Sequence, residues 1–252
     1  LEDPAALARL VAGADAVTHV AGVVNAPDRA GFAAGNIDGT RAIVAAAEQG
    51  GVDRFVHVSS LAAREPGLSL YGWSKREAET IVEGSTLSWA IVRPTGVYGA
   101  GDTEMVDMFR LARFGLAFTP PEGRVSLIAV EDLAALLVVL AGTKTPGTLY
   151  EADDGAALSH AGLARAIGRA MGRPRLLPLA LPGAALRLGA WIDRRLRGDG
   201  AKLTPDRVGY LLHPDWTANP ARRPPADLWT PSIATEAGLA VTARWYRAQG
   251  LI

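Results

Sequence analysis

Gly51-Val52-Asp53-Arg54-Phe55-Val56-His57-Val58-Ser59-Ser60 and, after a short loop, Tyr71-Gly72-Trp73-Ser74-Lys75 decide the fold class and point to its chemistry. Phe55 to Val58 are aromatic or β-branched apart from one histidine, which predicts a buried strand ending at the paired serines. A helix is predicted over roughly 71–83, with Tyr71 and Lys75 at positions i and i+4. Residues so spaced share a helix face, so the phenol and the ammonium project together. A free phenol titrates near pH ~10 and carries protons poorly at neutrality, whereas an adjacent ammonium is expected to lower that pKa. The plainer alternative for such a pair is a solvated helix face. Ser59 and Ser60 stand at the carboxyl end of the strand, where ligands of parallel sheets bind, so a hydroxyl there can hold a substrate oxygen. Paired serines also serve as caps and turn formers.

Working upstream, Asp3 is placed to cap a helix over 4–11, and a strand over 16–20 runs to Ala21-Gly22. A helix over about 36–49 is stopped by Gly50-Gly51. Downstream, a strand over 89–93 breaks at Pro94, and Gly99-Ala100-Gly101-Asp102 opens a helix over about 104–113. A strand over 125–130 feeds a helix at Glu131-Asp132, and a last strand covers 148–150. Strands separated by helices of this length predict right-handed βαβ units in an α/β, doubly wound parallel sheet over residues 1–154. Residues 155–252 turn to helices and proline-rich irregular chain, expected to be a smaller, mostly helical substrate-binding domain.

The 252 residues are 49% hydrophobic and 21% charged, the composition of a globular enzyme. Lys+Arg and Asp+Glu stand at 26 each, so net charge gives no reason to expect nucleic acid or an anionic surface as partner. There is no cysteine, which excludes disulfides, thiolate nucleophiles and cysteine-bound zinc, and suits a cytoplasmic location. No apolar run approaches the roughly 18 residues of a membrane span. The four histidines lack metal-ligand spacing, so no metal is expected, and no Gly-x-Ser-x-Gly elbow points to a hydrolase.

These stretches, with Asn36-Ile37-Asp38-Gly39-Thr40 and Arg93-Pro94-Thr95-Gly96-Val97-Tyr98-Gly99, resemble the extended short-chain dehydrogenase/reductase family. That family includes NAD-dependent epimerases and dehydratases, dihydroflavonol reductases and 3β-hydroxysteroid dehydrogenases. The resemblance implies a Rossmann-like sheet and an oxidoreductase that uses NAD or NADP on an alcohol or ketone of a small to medium, partly apolar molecule. It implies Tyr71 as general acid/base, Lys75 tuning it and holding the nicotinamide ribose, and Ser60, rather than Ser59, polarising the substrate oxygen. Ala21, Gly22 and Val23 would run beside the cofactor, and Pro94, Thr95, Gly96 and Val97 would meet the nicotinamide carboxamide. Asn36 would support the active-site strand and a proton relay, or serve simply as a helix N-cap. A nucleotide-sugar epimerase or dehydratase is the second enzyme reading, and a non-catalytic NAD(P)-binding or assembly protein the rival. Dimerisation through helices beside the active site is a family habit that makes a homodimer an expectation.

Family members begin with a strand and a Gly-x-x-Gly-x-x-Gly loop, and Gly31, Gly35 and Gly39 do not reproduce it. The sequence opens at Leu1-Glu2-Asp3-Pro4, so roughly 55–65 residues, two βα units and a strand, are expected ahead of it. Near the other end, a helix is predicted after Pro182, with Leu186, Leu188, Trp191 and Ile192 apolar and Arg194, Arg195 and Arg197 charged. A membrane-surface helix and a cover over the substrate cleft both suit it, and the likeness to steroid-type and flavonoid-type reductases favours the cover.

Overall fold

The computed structural model describes residues 1–144, 147–198, 201 and 203–252. Its helices are α1 (Pro4–Val11), α2 (Arg29–Phe32), α3 (Gly39–Gln49), α4 (Leu70–Glu83), α5 (Val106–Ala112), α6 (Val130–Gly142), α7 (His160–Ala170), α8 (Gly183–Arg197), α9 (Pro205–Leu211) and α10 (Thr235–Ala248). The strands are β1 (Ala16–His19), β2 (Arg54–Val58), β3 (Ser88–Pro94), β4 (Gly96–Tyr98), β5 (Leu116–Thr119), β6 (Arg124–Val125), β7 (Leu127–Ala129), β8 (Thr148–Ala152), β9 (Leu158–Ser159), β10 (Leu177–Ala180) and β11 (Asp215–Trp216). Among the described residues no helix is long and apolar enough to cross a membrane.

Contacts divide the chain into two compact units. The first comprises Leu1–Pro94, Ala134–Ala152 and Asn219–Trp229. Its sheet runs β1-β2-β3-β8 with every pair parallel, the Rossmann-like arrangement that the sequence predicts. Asp3 caps α1 by accepting from the Ala5 and Ala6 amides, and α1 buries Leu7 and Val11 against α3. Phe55, Ile91, Val82 and Ala47 complete a core closed to water. An aliphatic or aromatic side chain so buried contributes about 1.5–3 kcal/mol, which drives the sheet and helices together.

The second unit comprises Thr95–Leu133, Asp153–Ala218 and Thr230–Ile252. Its core gathers Tyr98, Phe109, Leu127, Ile167, Leu239 and Tyr246 from five elements. Small sheets frame it: β4 beside β7, β5 beside β10, and β11-β6-β9.

Three differences from the sequence expectation have physical causes. The helix expected at Asn36 already starts at Arg29, capped by Asp28, and reaches α3 through a π-helical turn at Ala33–Asp38. The strand expected over 125–130 splits at Ser126 into β6 and β7, and β7 pairs with β4 apart from the four-stranded sheet. Finally, the units are interleaved, whereas the sequence suggests one boundary at 154. Residues after Pro94 leave to build the β4–β7 pair, and Asn219 returns to donate its amide to Glu151, 2.7 Å away.

Candidate active site

The first unit's site grows from the start of α4. Ser69 caps this helix, accepting from the Gly72 amide at 3.0 Å. Gly72 is needed because a Cβ there would lie 2.6 Å from the Ala62 carbonyl, so the helix packs directly on the 3-10 turn Leu61–Arg64. Ser60 caps that turn by accepting from the Ala62 amide at 3.2 Å. The two caps bring Ser60 to Tyr71. Burial pushes the Tyr71 phenol above its ordinary value, and a hydrogen bond from Ser60 pulls it back.

This corrects the expectation that Lys75 lowers the tyrosine's pKa. The buried Lys75 ammonium instead points at the end of β2 and donates to the Val58 carbonyl at 2.7 Å. Burial lowers its own pKa to about 8, with Glu79 opposing. Tyr71 is therefore held protonated at neutral pH, as a donor and not a phenolate.

Ser59 has another partner. Its hydroxyl donates to Glu79 at 2.5 Å, and the fully buried Glu79 also receives both arms of Arg93, at 2.7 and 2.6 Å, and Arg76 at 3.0 Å. A buried carboxylate held in a two-pronged guanidinium clamp fixes geometry strongly. Glu79 and Arg93 were missed as a pair in the sequence. The signal was there, since Glu79 follows Lys75 by four residues and so extends the face of Tyr71 and Lys75.

At the end of β1, Ala21 and Gly22 are exposed and Val23 is half-buried. The buried Asn36 amide holds Val23 by both backbone groups, accepting from its N–H at 2.7 Å and donating to its carbonyl at 2.9 Å. It also donates to Ser74 at 2.8 Å, and Ser74 donates to the Tyr71 carbonyl. Asn36 therefore ties the β1 end to α4 from inside the π turn and is no N-cap. Such turns recur at functional sites. Beneath Lys75, His19 and His57 stack with ring centres 5.4 Å apart. His19 bonds Thr40, while neither ring nitrogen of buried His57 has a partner among the described residues. Burial first, then the Lys75 charge, lowers both pKa values, His19 to about 4.

Pro94 closes β3 and is buried. Thr95, Gly96 and Val97 belong to the second unit, where Gly96 and Val97 open β4 opposite Leu127 and Ile128. The first unit thus gathers Ser60, Tyr71, Lys75 and Gly22–Val23 at the carboxyl ends of β1 and β2. Among the described residues, no cluster of three or more acidic or histidine side chains could hold a metal.

The profile of a family described as NAD(P)H-binding matches residues 1–144. The chain belongs to this NAD(P)H-binding family, of short-chain dehydrogenase/reductase type. A family member in Caulobacter vibrioides (strain NA1000 / CB15N), "Ceramide reductase", is 40% identical, covering 99% of this chain and 80% of that protein. "2-alkyl-3-oxoalkanoate reductase" of Stenotrophomonas maltophilia is 29% identical over 95% of this chain and 82% of its own length. Among solved structures, WbmG of Bordetella bronchiseptica in complex with NAD and UDP has a TM-score of 0.73 at 16% identity, with 99% and 78% of the two chains covered, which shows a shared fold. The site also fits a nicotinamide dinucleotide on its own geometry. A Cβ on Gly22 would stand 2.7 Å from the Asn36 oxygen and 3.8 Å from Lys75 Nζ, so the bare glycine keeps open a polar cradle beside the ammonium. The oxidoreductase class and the NAD(P) cofactor implied by the sequence resemblance both stand.

Proposed function

We propose that this protein reduces the ketone of a lipid-like molecule to an alcohol, with Ser60, Tyr71 and Lys75 as its catalytic set. The observation that carries the proposal is the Tyr71 hydroxyl hydrogen-bonded to Ser60 at the carboxyl end of the parallel sheet, with Lys75 fixed on Val58 beside it. Paired with Ser60, the Tyr71 hydroxyl is placed to give a proton to an alkoxide as it forms on a ketone. That two relatives matching nearly the whole chain are named "Ceramide reductase" and "2-alkyl-3-oxoalkanoate reductase" supports the substrate class.

When bound, the reduced nicotinamide supplies the hydride. Ser60 and the Tyr71 hydroxyl hold the carbonyl oxygen, and Tyr71 passes its proton to that oxygen as negative charge develops there. Lys75, fixed on Val58, holds its ammonium at the carboxyl end of β2, on the cofactor side next to Gly22. Asn36 and Gly22 keep the cofactor side of the cleft in register. Ser59 acts through Glu79 as a positioning residue and touches no reacting atom.

The test is NAD(P)H oxidation with a long-chain 3-oxo amide or acid and with a nucleotide sugar. Tyr71→Phe is expected to lower kcat by about 10³-fold with cofactor affinity kept, and Ser60→Ala by about 10²-fold. Ser59→Ala should lower thermal stability more than kcat. Near-normal turnover by Tyr71→Phe would overturn the assignment, and turnover of the nucleotide sugar alone would replace the substrate class.

A further inference from the structure

Helix α8 carries two apolar faces where a surface helix needs one. Leu186 and Ala190 turn inward, packed with Val208 and flanked by Leu181, Leu203 and Leu212. Leu188, Trp191, Ile192 and Leu196 recur three and four residues apart on the opposite side and are exposed, Trp191 at 55% and Leu196 at 80%. The sequence groups Leu186 with this stripe, and the structure separates them. A cover closed over a cleft would turn the stripe inward, but here it faces out.

The strand leading into α8 continues the pattern. β10 pairs in parallel with β5, placing Leu177 opposite Leu116 and Leu179 opposite Phe118. All four side chains are exposed, while the alternate residues Ala117 and Thr119 are buried. Phe114, just before β5, is 69% exposed. One face of this ribbon is therefore apolar and open to water, and the chain runs from it through Leu181 and Pro182 into α8.

Arginines fringe both parts. α8 holds Arg187, Arg194, Arg195 and Arg197 against a single acid, Asp193, which pairs with Arg197 at 3.2 Å. The Arg195 guanidinium lies 4.9 Å from the Trp191 ring centre, and that of Arg113 lies 4.8 Å from the Phe114 ring centre. Exposed Arg173 and Arg175 precede β10. The whole chain is charge-balanced, so this local excess of positive charge is a property of the face.

We infer that the outward face of α8 and the β5–β10 ribbon dock on an anionic phospholipid surface. A convex stripe of leucine, isoleucine and tryptophan fits the boundary between headgroups and acyl chains. The arginines reach past the apolar residues to the phosphates, their stems covering apolar surface, and this charge match selects an anionic bilayer over a neutral one. The inference goes beyond the proposed reduction, since it uses no residue of the catalytic cleft.

The experiment is co-sedimentation of the full chain with phosphatidylcholine vesicles, with and without phosphatidylglycerol, alongside fluorescence quenching by brominated lipid. The chain should pellet with the mixed vesicles, stay behind with phosphatidylcholine alone, and be released by salt. Leu188→Ser/Ile192→Ser/Leu196→Ser and Arg187→Gln/Arg194→Gln/Arg195→Gln should each lower the bound fraction by at least about tenfold. The conservative Trp191→Phe should keep binding and lose the quenched fluorescence. Three results would overturn the docking surface: no pelleting with mixed vesicles, binding indifferent to both triple variants, or variants that only dissociate a dimer. Ketone reduction assayed in detergent-free buffer with a short soluble substrate reports separately on the catalytic set.

Discussion

Lys75 is where stability and chemistry pull in opposite directions. Its pKa falls from an ordinary 10.5 to about 8 because burial disfavours the ammonium. Between those values the unfolded chain binds the extra proton, so stability rises with pH across about 8 to 10.5, and below about 8 the full cost of the buried charge is present. That cost is about 3 kcal/mol, and a side chain unable to donate would leave the Val58 carbonyl without its bond, at about 1 kcal/mol. Lys75→Met is therefore expected to gain about 2 kcal/mol near pH 7 while losing turnover. Thermal melting at pH 7 and pH 10.5 checks it, because the variant's advantage should vanish at the higher pH. A variant less stable at pH 7 would mean that the lysine is held comfortably. The i, i+4 spacing made the pair legible in the sequence, but the direction in which Lys75 points was not, because it depends on the Val58 carbonyl of another element. Glu79 was equally legible by spacing, yet its role emerges only when Arg93 arrives from β3.

Elements with their own start signals were read nearly to the residue. Helix α4, expected from Tyr71, begins at Leu70 under its Ser69 cap, and α1 begins after Asp3 as its spacing predicts. The π turn escaped because no start signal was read ahead of Asn36, and only packing against Val23 shows why Gly35 has no side chain: a Cβ would meet Val23 at 2.7 Å. Neighbouring strands hold a feature no local pattern could reveal, the His19–His57 stack made by the β1–β2 register. Both rings are neutral in the fold, with His19 near 4 against an ordinary 6.5. Below pH ~6.5 the unfolded chain binds more protons, so stability is complete above that value and is lost as pH falls toward 4, by about 2 kcal/mol at pH ~5 from His19 alone. Replacing the pair by His19→Gln/His57→Leu should flatten the melting temperature between pH 7 and 5. An unchanged acid slope in that variant would assign the loss to carboxylates instead.

At the scale of the molecule, local signals gave the β/α alternation but not the interleaving of two cores. The second unit is stitched by strands of two to four residues and by carboxylates that reach across about a hundred positions, contacts too distant for periodicity to report. Asp132, in the first turn of α6, shows the principle. Its buried carboxylate accepts from the Ser232 amide at 3.0 Å, the Ser232 hydroxyl at 2.7 Å and the Ile233 amide at 2.9 Å, fixing the approach to α10. Hydrogen bonds to a charged acceptor contribute about 1.5–3 kcal/mol each, so Asp132→Ala should cost about 3 kcal/mol or more. Because each unit buries a core of its own, the loss should be local in native-state hydrogen exchange. Protection is expected to fall in α10 and in the β4–β7 pair, while the amides of β2 and β3 keep theirs. Equal loss in Arg54–Val58 would show that the two cores open together, and Ser60, proposed as a catalytic residue after β2, would then depend on a carboxylate of the other unit.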